Sequence, residues 1–412
     1  MRGYKVVTLG CKANQYDSDL IAQALRSAGL SASETPDVVV LNTCAVTSRA
    51  EAKGRRMLRR LCEKHPASRI IVTGCAAERL RVPAGVAVVP QGAADAIPAL
   101  LGLDVEIVDC LRTCRPGRGR TRVFVKVQDG CDAFCSYCVI PYVRGKPRSK
   151  PPKLVKSEVA HLVELGHREV VLTGIHLGAY GRDLDASQGG TASLEGLVRE
   201  LLGIPGTWRL RLSSVEAGEV SAGLLDLASH PHFCPHFHLP LQSGDDEILR
   251  LMNRPLTAGQ FRAVVERIRA AVPNPGLTTD VIVGFPGETE ARFERTYRLV
   301  AELAFTRLHV FPFDPRPGTR AFSLPDRPQS GAVKERVHRL ISLGNELMAS
   351  FAERFVGSTV AVLAEPAGNG LGGYSERYVR VRFPGDRSLV GNLVNVRIRG
   401  VGGPVAEGAL AQ

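Results

Sequence analysis

The feature that most constrains the fold is an alternation running through most of the chain. Short apolar runs of strand length take turns with longer stretches that repeat at a helical period. In the first hundred residues Tyr4–Leu9, Val38–Leu41, Ile70–Thr73 and Val86–Val89 read as strands. Between them Asp17–Ala28 puts Leu20, Ile21, Ala24, Leu25 and Ala28 on one face, and Thr47–His65 reads as a basic amphipathic helix. This order implies a parallel sheet with helices on both faces, and such sheets take ligands beyond the carboxyl ends of their strands. The alternation resumes with Val123–Val127, Glu169–Thr173, Arg209–Ser213, His236–Leu239, Thr279–Val283 and Arg307–Phe311, with helical patterns between them, notably Leu256–Val272 and Glu288–Leu303. Successive βα units predict a barrel or partial barrel whose functional groups lie at the C-terminal strand ends. Gln329–Arg354 reads as a long closing helix. Beyond it Val360–Ala364, Tyr378–Phe383 and Asn392–Ile398 read as short strands between Gly- and Pro-rich turns, a small all-β module.

Charge is unevenly spread. The chain has 53 basic and 41 acidic residues, but residues 110–156 hold 12 basic and 2 acidic ones, whereas residues 157–349 hold 20 and 23. A concentrated basic segment suits a polyanion, nucleic acid first among them; the alternative is a solvated linker. No stretch approaches the ~18 apolar residues of a membrane span, and the N-terminus lacks the anatomy of a signal peptide. The expectation is a cytoplasmic protein with no membrane partner. Ten cysteines in that setting are buried core residues, metal ligands or reactive thiols rather than disulfides.

Cys131-Asp-Ala-Phe-Cys135-Ser-Tyr-Cys138 follows directly on the first barrel strand. Three thiolates on one short loop can hold three corners of a cubic 4Fe-4S cluster. The fourth iron is then open to an outside ligand, and the amino and carboxylate groups of S-adenosylmethionine can fill it. A zinc site of three cysteines plus a distant ligand is the alternative. Cys11, Cys44 and Cys75 each follow a strand of the N-terminal parallel sheet, so they should converge in space. They could hold a second cluster with one open iron, or be three independent buried cysteines. Cys62 lies in a helical pattern, Cys234 in a proline-flanked loop, and Cys110 and Cys114 in the linker; none of these four is read as a cluster ligand.

The cluster loop VQDGCDAFCSYCVIPYVRGKPRS resembles that of the radical S-adenosylmethionine (SAM) methylthiotransferases. The segments TLGCKANQYDSD, LNTCAVT, VTGC, LTGIHLGAYG, RLSSVEAGEV, HLPLQSGDDEILRLMNR and TDVIVGFPGET resemble the same family in the same order. Ala13 stands where a bulkier aliphatic residue is usual. The resemblance implies an α/β chain in parts: an N-terminal parallel-sheet domain at 1–109 with an auxiliary cluster, a basic linker at 110–122, a partial (βα)6 radical-SAM barrel at 123–350, and a small all-β barrel at 351–412 similar to the RNA-binding domain called TRAM. It implies two 4Fe-4S clusters, held by Cys11, Cys44 and Cys75 and by Cys131, Cys135 and Cys138, with SAM as cofactor. It implies tRNA as partner, an electron donor such as flavodoxin or ferredoxin, and a sulfur source of unknown identity.

In barrels of the superfamily that the chain resembles, the cofactor contacts the ends of the next strands, which implies Thr173, Gly174, Ser213, Glu216, Gln242 and Asp280 as candidate contacts; the alternative is that such polar residues cap the next helix. Gly284-Phe-Pro-Gly287 would let backbone approach the cofactor, or is a tight turn alone. Arg144, Lys146, Arg148 and Lys150 could receive RNA phosphates, and Arg377, Tyr378, Arg380 and Arg382 interleave basic and aromatic residues on an expected strand. The family has branches acting on isopentenylated adenosine in tRNA, on a ribosomal-protein aspartate and on N6-threonylcarbamoyladenosine. TLGCKANQYDSD, with Lys12 and Gln15, and HVFPFDPRPGT are most similar to the third branch. The implied reaction inserts a methylthio group at C2 of N6-threonylcarbamoyladenosine beside the anticodon. One SAM methylates a sulfur at the auxiliary cluster; a second is cleaved to a 5′-deoxyadenosyl radical that removes the C2 hydrogen. The isopentenyladenosine branch, and a non-catalytic Fe–S RNA-binding protein, are the alternatives.

Overall fold

The computed structural model describes residues 1–93, 96–103, 121–185 and 192–411. The expected linker, with Cys110 and Cys114, lies outside these except for Thr121 and Arg122. Arg122 already opens a strand.

The N-terminal sheet comprises β1 (Gly3–Thr8), β2 (Ser31–Ala32), β3 (Val38–Thr43), β4 (Arg69–Gly74) and β5 (Ala87–Val88), all parallel, in the order β2-β1-β3-β4-β5. β3 is buried along its whole length, as its unbroken apolar run requires of a central parallel strand. The helix expected over Asp17–Ala28 instead spans Lys12–Ser27. Its first turn escapes a search for apolar periodicity because the residue it buries there with Ala13 is Asn14. The Asn14 amide donates to Leu9 O and Thr43 O at 2.9 and 2.7 Å. The second helix, Ser48–Lys64, is capped by Thr47, whose side chain accepts from Ala50 N–H.

Six parallel strands follow: β6 (Arg122–Asp129), β8 (Glu169–Gly174), β9 (Arg209–Leu212), β10 (His236–His238), β11 (Gly276–Val283) and β12 (Arg307–Pro312). A short β7 (Arg148–Ser149) pairs antiparallel to the edge of β6. Bridges Leu210–Phe233 and Ser214–His238 join β9 to the β10 side, so the strands form one curved half-barrel. The period of two decides what its interior holds. Phe124, Val171 and Thr173, Arg211 and Ser213, His236 and His238, Thr278 and Asp280, and His309 and Phe311 share the inward face. The helices outside bury Val155, Val159, Leu197, Leu201, Val265, Ile268, Phe293 and Val300 against the strands. Gly284 ends β11 where an added Cβ would lie 2.6 Å from Val333 Cγ2 of the closing helix Ser330–Glu353. The turn's tightness therefore serves helix packing.

The C-terminal region has β13 (Thr359–Leu363), β14 (Glu365–Ala367), β15 (Gly370–Tyr374), β16 (Arg380–Phe383), β17 (Leu393–Gly402) and β18 (Val405–Leu410) in the order β13-β17-β18-β16-β15-β14. Sequence periodicity missed β14, β15 and β18, because Gly-Leu-Gly-Gly and Glu-Gly-Ala break the alternation. Tyr378 is not on a strand: its φ is +68° and it sits in the turn before β16.

The C-terminal sheet is fixed to the barrel by a buried ion network. Glu169, fully enclosed, accepts from Arg209 Nε at 2.6 Å and Arg211 Nε at 2.9 Å. The remaining donors reach the sheet's carbonyls: Arg209 to Ala361 and Tyr374, Arg211 to Ser375 and Glu376. Burial pushes the Glu169 carboxyl up, but the two guanidiniums outweigh it and hold it well below its ordinary 4.5. Glu169→Gln should therefore lower stability by about 3–5 kcal/mol, read as the unfolding midpoint. The depressed carboxyl's contribution is present above its ordinary pKa and is lost as pH falls through the folded value. The variant's deficit should accordingly shrink in strong acid.

Candidate active site

A cavity of about 770 Å³ occupies the half-barrel and is closed by the start of the Lys12–Ser27 helix on one side and by Glu365, Pro366 and Tyr378 on another. Its wall is polar. Asp280 stands between two imidazoles, His238 Nε2 and His309 Nδ1, each 3.2 Å from a different carboxylate oxygen. Burial pushes the Asp280 carboxyl up, and the hydrogen bonds from His238 and His309 more than offset that, holding it well below its usual range. Thr278 Oγ1 links His238 and His236 at 2.8 and 3.0 Å, and the His236 ring stacks on Tyr378 at 4.5 Å, which stacks in turn on Tyr374 at 4.4 Å. Tyr378 is thus committed inside the molecule. Arg380 and Arg382 remain exposed on β16.

Three thiols gather at the carboxyl edge of the N-terminal sheet. Cys44 and Cys75 directly follow β3 and β4, and Cys11 precedes the first helix. Cys11 Sγ and Cys75 Sγ lie 4.0 and 3.8 Å from the same atom, Asn14 Oδ1. Gly10, at φ +111°, brings the backbone so close that a Cβ there would lie 3.1 Å from Cys44 Sγ. Burial raises the Cys44 thiol and pushes the Cys75 thiol up to about 11.

The second set sits on the loop after β6. Cys138 N–H donates to Cys135 O at 2.9 Å, and burial pushes its thiol up to about 12. Cys131 Sγ lies 3.8 Å from His176 Nδ1, and His176 Nε2 lies 2.9 Å from Glu219. Hydrogen bonds to Cys131 and to Glu219 push the His176 pKa up to about 10. Arg254 Nη1 lies 3.8 Å from Cys135 Sγ and is ion-paired with Glu216. Two cations beside three thiols suit a group that binds them as thiolates. Cys131 and Cys138 pack against the apolar cluster that contains Cys44, Cys75, Val139 and Ile140, so both thiol sets share one core.

Arg144 joins them. It was expected to meet phosphate, yet it is 3% exposed. Its Nε donates to Cys75 Sγ at 3.1 Å, Nη1 to Asp129 Oδ1 at 2.6 Å and Nη2 to Asn14 Oδ1 at 2.5 Å. Lys150 is likewise spent, on Glu158 and Tyr16 OH, both at 2.6 Å. Lys146 and Arg148 are exposed.

Of the candidate cofactor contacts, Thr173, Ser213 and Asp280 line the cavity. Ser213 Oγ is buried with no hydrogen-bond partner among the described residues. Gly174 lies against Gln128, and Glu216 lines a smaller recess with Arg254. Gln242 takes φ +69° and engages β11 through its backbone, donating to Asp280 O and accepting from Ile282 N–H. Cys234 is buried just before β10 and Cys62 is half-buried in the second helix. Sequence reasoning passed over His238 and His309. The signal was available in their inward parity with Asp280 on neighbouring strands. Lys12 and Gln15 also line the cavity. Lys12 is open to the cavity's solvent but walled in by protein, and burial together with Arg211 and Arg122 lowers its pKa to about 8.

Residues 125–300 match the model of the radical SAM superfamily, and residues 3–85 match that of uncharacterized protein family UPF0004. The chain is 34% identical to the threonylcarbamoyladenosine tRNA methylthiotransferase MtaB of Bacillus subtilis, over 97% of this chain and 94% of that protein. It is 35% identical to the protein of the same name from Thermotoga maritima, over 97% and 95%. It is also 35% identical to a tRNA-2-methylthio-N(6)-dimethylallyladenosine synthase of Pelotomaculum thermopropionicum, over 97% and 96%. Among solved structures, the radical S-adenosylmethionine methyltransferase TsrM of Kitasatospora setae shares the fold, with a TM-score of 0.50 at 14% identity over 78% of this chain and 74% of that one. A half-barrel with a cysteine loop after its first strand defines a radical SAM enzyme, a fold that carries a 4Fe-4S cluster and takes SAM. The chain belongs to the radical SAM methylthiotransferases.

Replacing Arg144 with Met leaves the buried Asp129 carboxylate with only Lys126 and the Gly130 N–H, and Asn14 Oδ1 with only the weak thiol donors of Cys11 and Cys75. Stability of the metal-free chain should fall by about 3–5 kcal/mol, measured by denaturant unfolding, whereas Lys146→Met should change it by less than about 0.5 kcal/mol.

Proposed function

We propose that this chain inserts a methylthio group at C2 of N6-threonylcarbamoyladenosine next to the anticodon of tRNA. Cys131, Cys135 and Cys138 hold the cluster that takes SAM, and Cys11, Cys44 and Cys75 hold a second 4Fe-4S cluster. The observation that carries this reading is two sets of three thiols, two of each set packed on one core, with Cys11 of the second set on the wall of the barrel cavity. SAM bound at the first cluster supplies the radical that an unactivated aromatic C–H requires. The protein's own residues do the positioning. Thr173, Gly174, Ser213, Gln242 and Asp280 lie along the strand ends where the cofactor's polar groups need partners. Glu216 acts through Arg254 beside Cys135. Lys146 and Arg148 on the loop, and Arg380 and Arg382 on β16, offer exposed cations to RNA phosphates. The polar side chains set among the wall's apolar ones offer partners to a threonylcarbamoyl group that an isopentenyl group could not use. An electron donor such as flavodoxin or ferredoxin completes the system.

The test is nucleoside mass spectrometry of tRNA from a bacterial host lacking both tRNA methylthiotransferase activities and expressing this chain. The expected product is 2-methylthio-N6-threonylcarbamoyladenosine. Methylthiolation of isopentenyladenosine instead would keep the chemistry and reject the substrate. Cys135→Ala should abolish SAM cleavage, read as loss of 5′-deoxyadenosine, while tRNA affinity stays within about twofold. Cleavage that survives the substitution would reject Cys135 as a ligand.

A further inference from the structure

The first turn of the Lys12–Ser27 helix presents two side chains to the cavity that nothing in the protein uses. Lys12 and Gln15 are three residues apart, hence on one face, and both line the cavity beside Cys11. Asn14 and Tyr16, the turn's other long polar side chains, are committed elsewhere, to Leu9 O, Thr43 O and Glu158. The Lys12 ammonium has no hydrogen bond or ion pair among the described residues, and the Gln15 amide makes no side-chain hydrogen bond there. The cavity's other strong cations are spent: Arg122 on Glu365, and Arg211 on Glu169 and two carbonyls. Its carboxylates are spent as well, Asp280 on two histidines and Glu365 on Arg122. A solvated ammonium facing the cavity without a protein counter-ion is available to an anionic ligand, and a free amide beside it can meet both a carbonyl and an N–H.

We infer that Lys12 and Gln15 form the subsite for the N6 substituent of the substrate adenosine, Lys12 pairing with its carboxylate and Gln15 with its carbamoyl group. This rests on the substrate reading above. The threonylcarbamoyl group carries a carboxylate and a urea-like linkage; an isopentenyl group carries neither. The pair therefore selects between the two substrates and is not required by the radical chemistry. Position explains why a specificity element can sit there: the helix capped at Cys11 presents its first turn to the cavity, beside that cysteine.

Binding of anticodon stem–loop RNAs to the reconstituted full-length protein tests this. The RNAs carry adenosine, N6-isopentenyladenosine, N6-threonylcarbamoyladenosine, or the last with its carboxylate converted to an amide. The unaltered protein should bind the threonylcarbamoyl RNA about tenfold or more tightly than the amide form. Lys12→Met should bind these two alike, Lys12→Arg should keep much of the preference, and Gln15→Ala should weaken binding of both forms together. Iron content and SAM affinity should match the unaltered protein in every variant. Equal binding of carboxylate and amide RNA by the unaltered protein overturns the inference, with no variant needed. A preference that persists in Lys12→Met, or a loss of SAM affinity in place of RNA discrimination, overturns it too. Those outcomes leave the substrate reading standing if the threonylcarbamoyl RNA is methylthiolated. Methylthiolation of the isopentenyl RNA alone removes both.

Discussion

Burying a guanidinium costs several kcal/mol unless each donor finds an acceptor, and the acceptors of Arg144 come from two distant parts of the chain. Asp129 ends the first barrel strand, while Asn14 and Cys75 belong to the N-terminal sheet. Asp129 is shared with Lys126, which also reaches Asp17 of the first helix at 2.5 Å. The cysteine loop therefore cannot take its place without the N-terminal sheet being in register beside it. Arg144 thus ties the cysteine loop's base to Asn14 and Cys75 on the N-terminal side. An apolar contact could not do this, since it has no directional requirement that both partners must meet.

A second clamp acts from the other side. The loop after β12 sends Asp314 to the N-terminus of the Ser48–Lys64 helix, accepting from Ser48 Oγ at 2.7 Å, and Arg316, buried, donates to Ser48 Oγ at 3.0 Å and pairs with Glu51. That helix begins just after Cys44. The half-barrel thus grips the N-terminal sheet at two of its carboxyl-edge loops, and the Glu169 network grips the C-terminal sheet below. Between these fixed walls the interior has room for inward polar side chains. Its character as a binding cavity follows from the half-barrel's few strands and from the histidines, threonines and aspartate that fill alternate positions.

Much of the fold was legible because it depends on periodicity. β3 and β8 centre on unbroken apolar runs, and the long closing helix repeats its buried face through Leu340 and Leu343. The thiol sets were legible for the same reason: a residue directly after a parallel strand lies at a shared edge, whatever the rest of the chain does. Three kinds of feature were not legible. The first turn of the Lys12–Ser27 helix is buried through a polar residue, so it carries no apolar signal. β15 and β18 rest on glycines that leave room for close backbone approach, as at Gly373 and Gly408, where composition reads as turn. Arg144 and Lys150 look like any cation in a basic segment until their acceptors, far off in sequence, are brought beside them.

The sequence by itself determined that the sheets are parallel, the family, and which cysteines stand at strand ends, since these follow from local spacing, the βα alternation and matching motifs. Tertiary structure alone decided which cations are spent and which remain free. Arg144, Arg211 and Lys150 are consumed by buried carboxylates and carbonyls, while Lys12 is left facing the cavity. The physical reason is that a charge's role depends on the partners within a few ångströms of it. Some of those partners come from segments more than a hundred residues apart, as with Arg144 and Asn14, Lys150 and Tyr16, or Arg211 and Ser375.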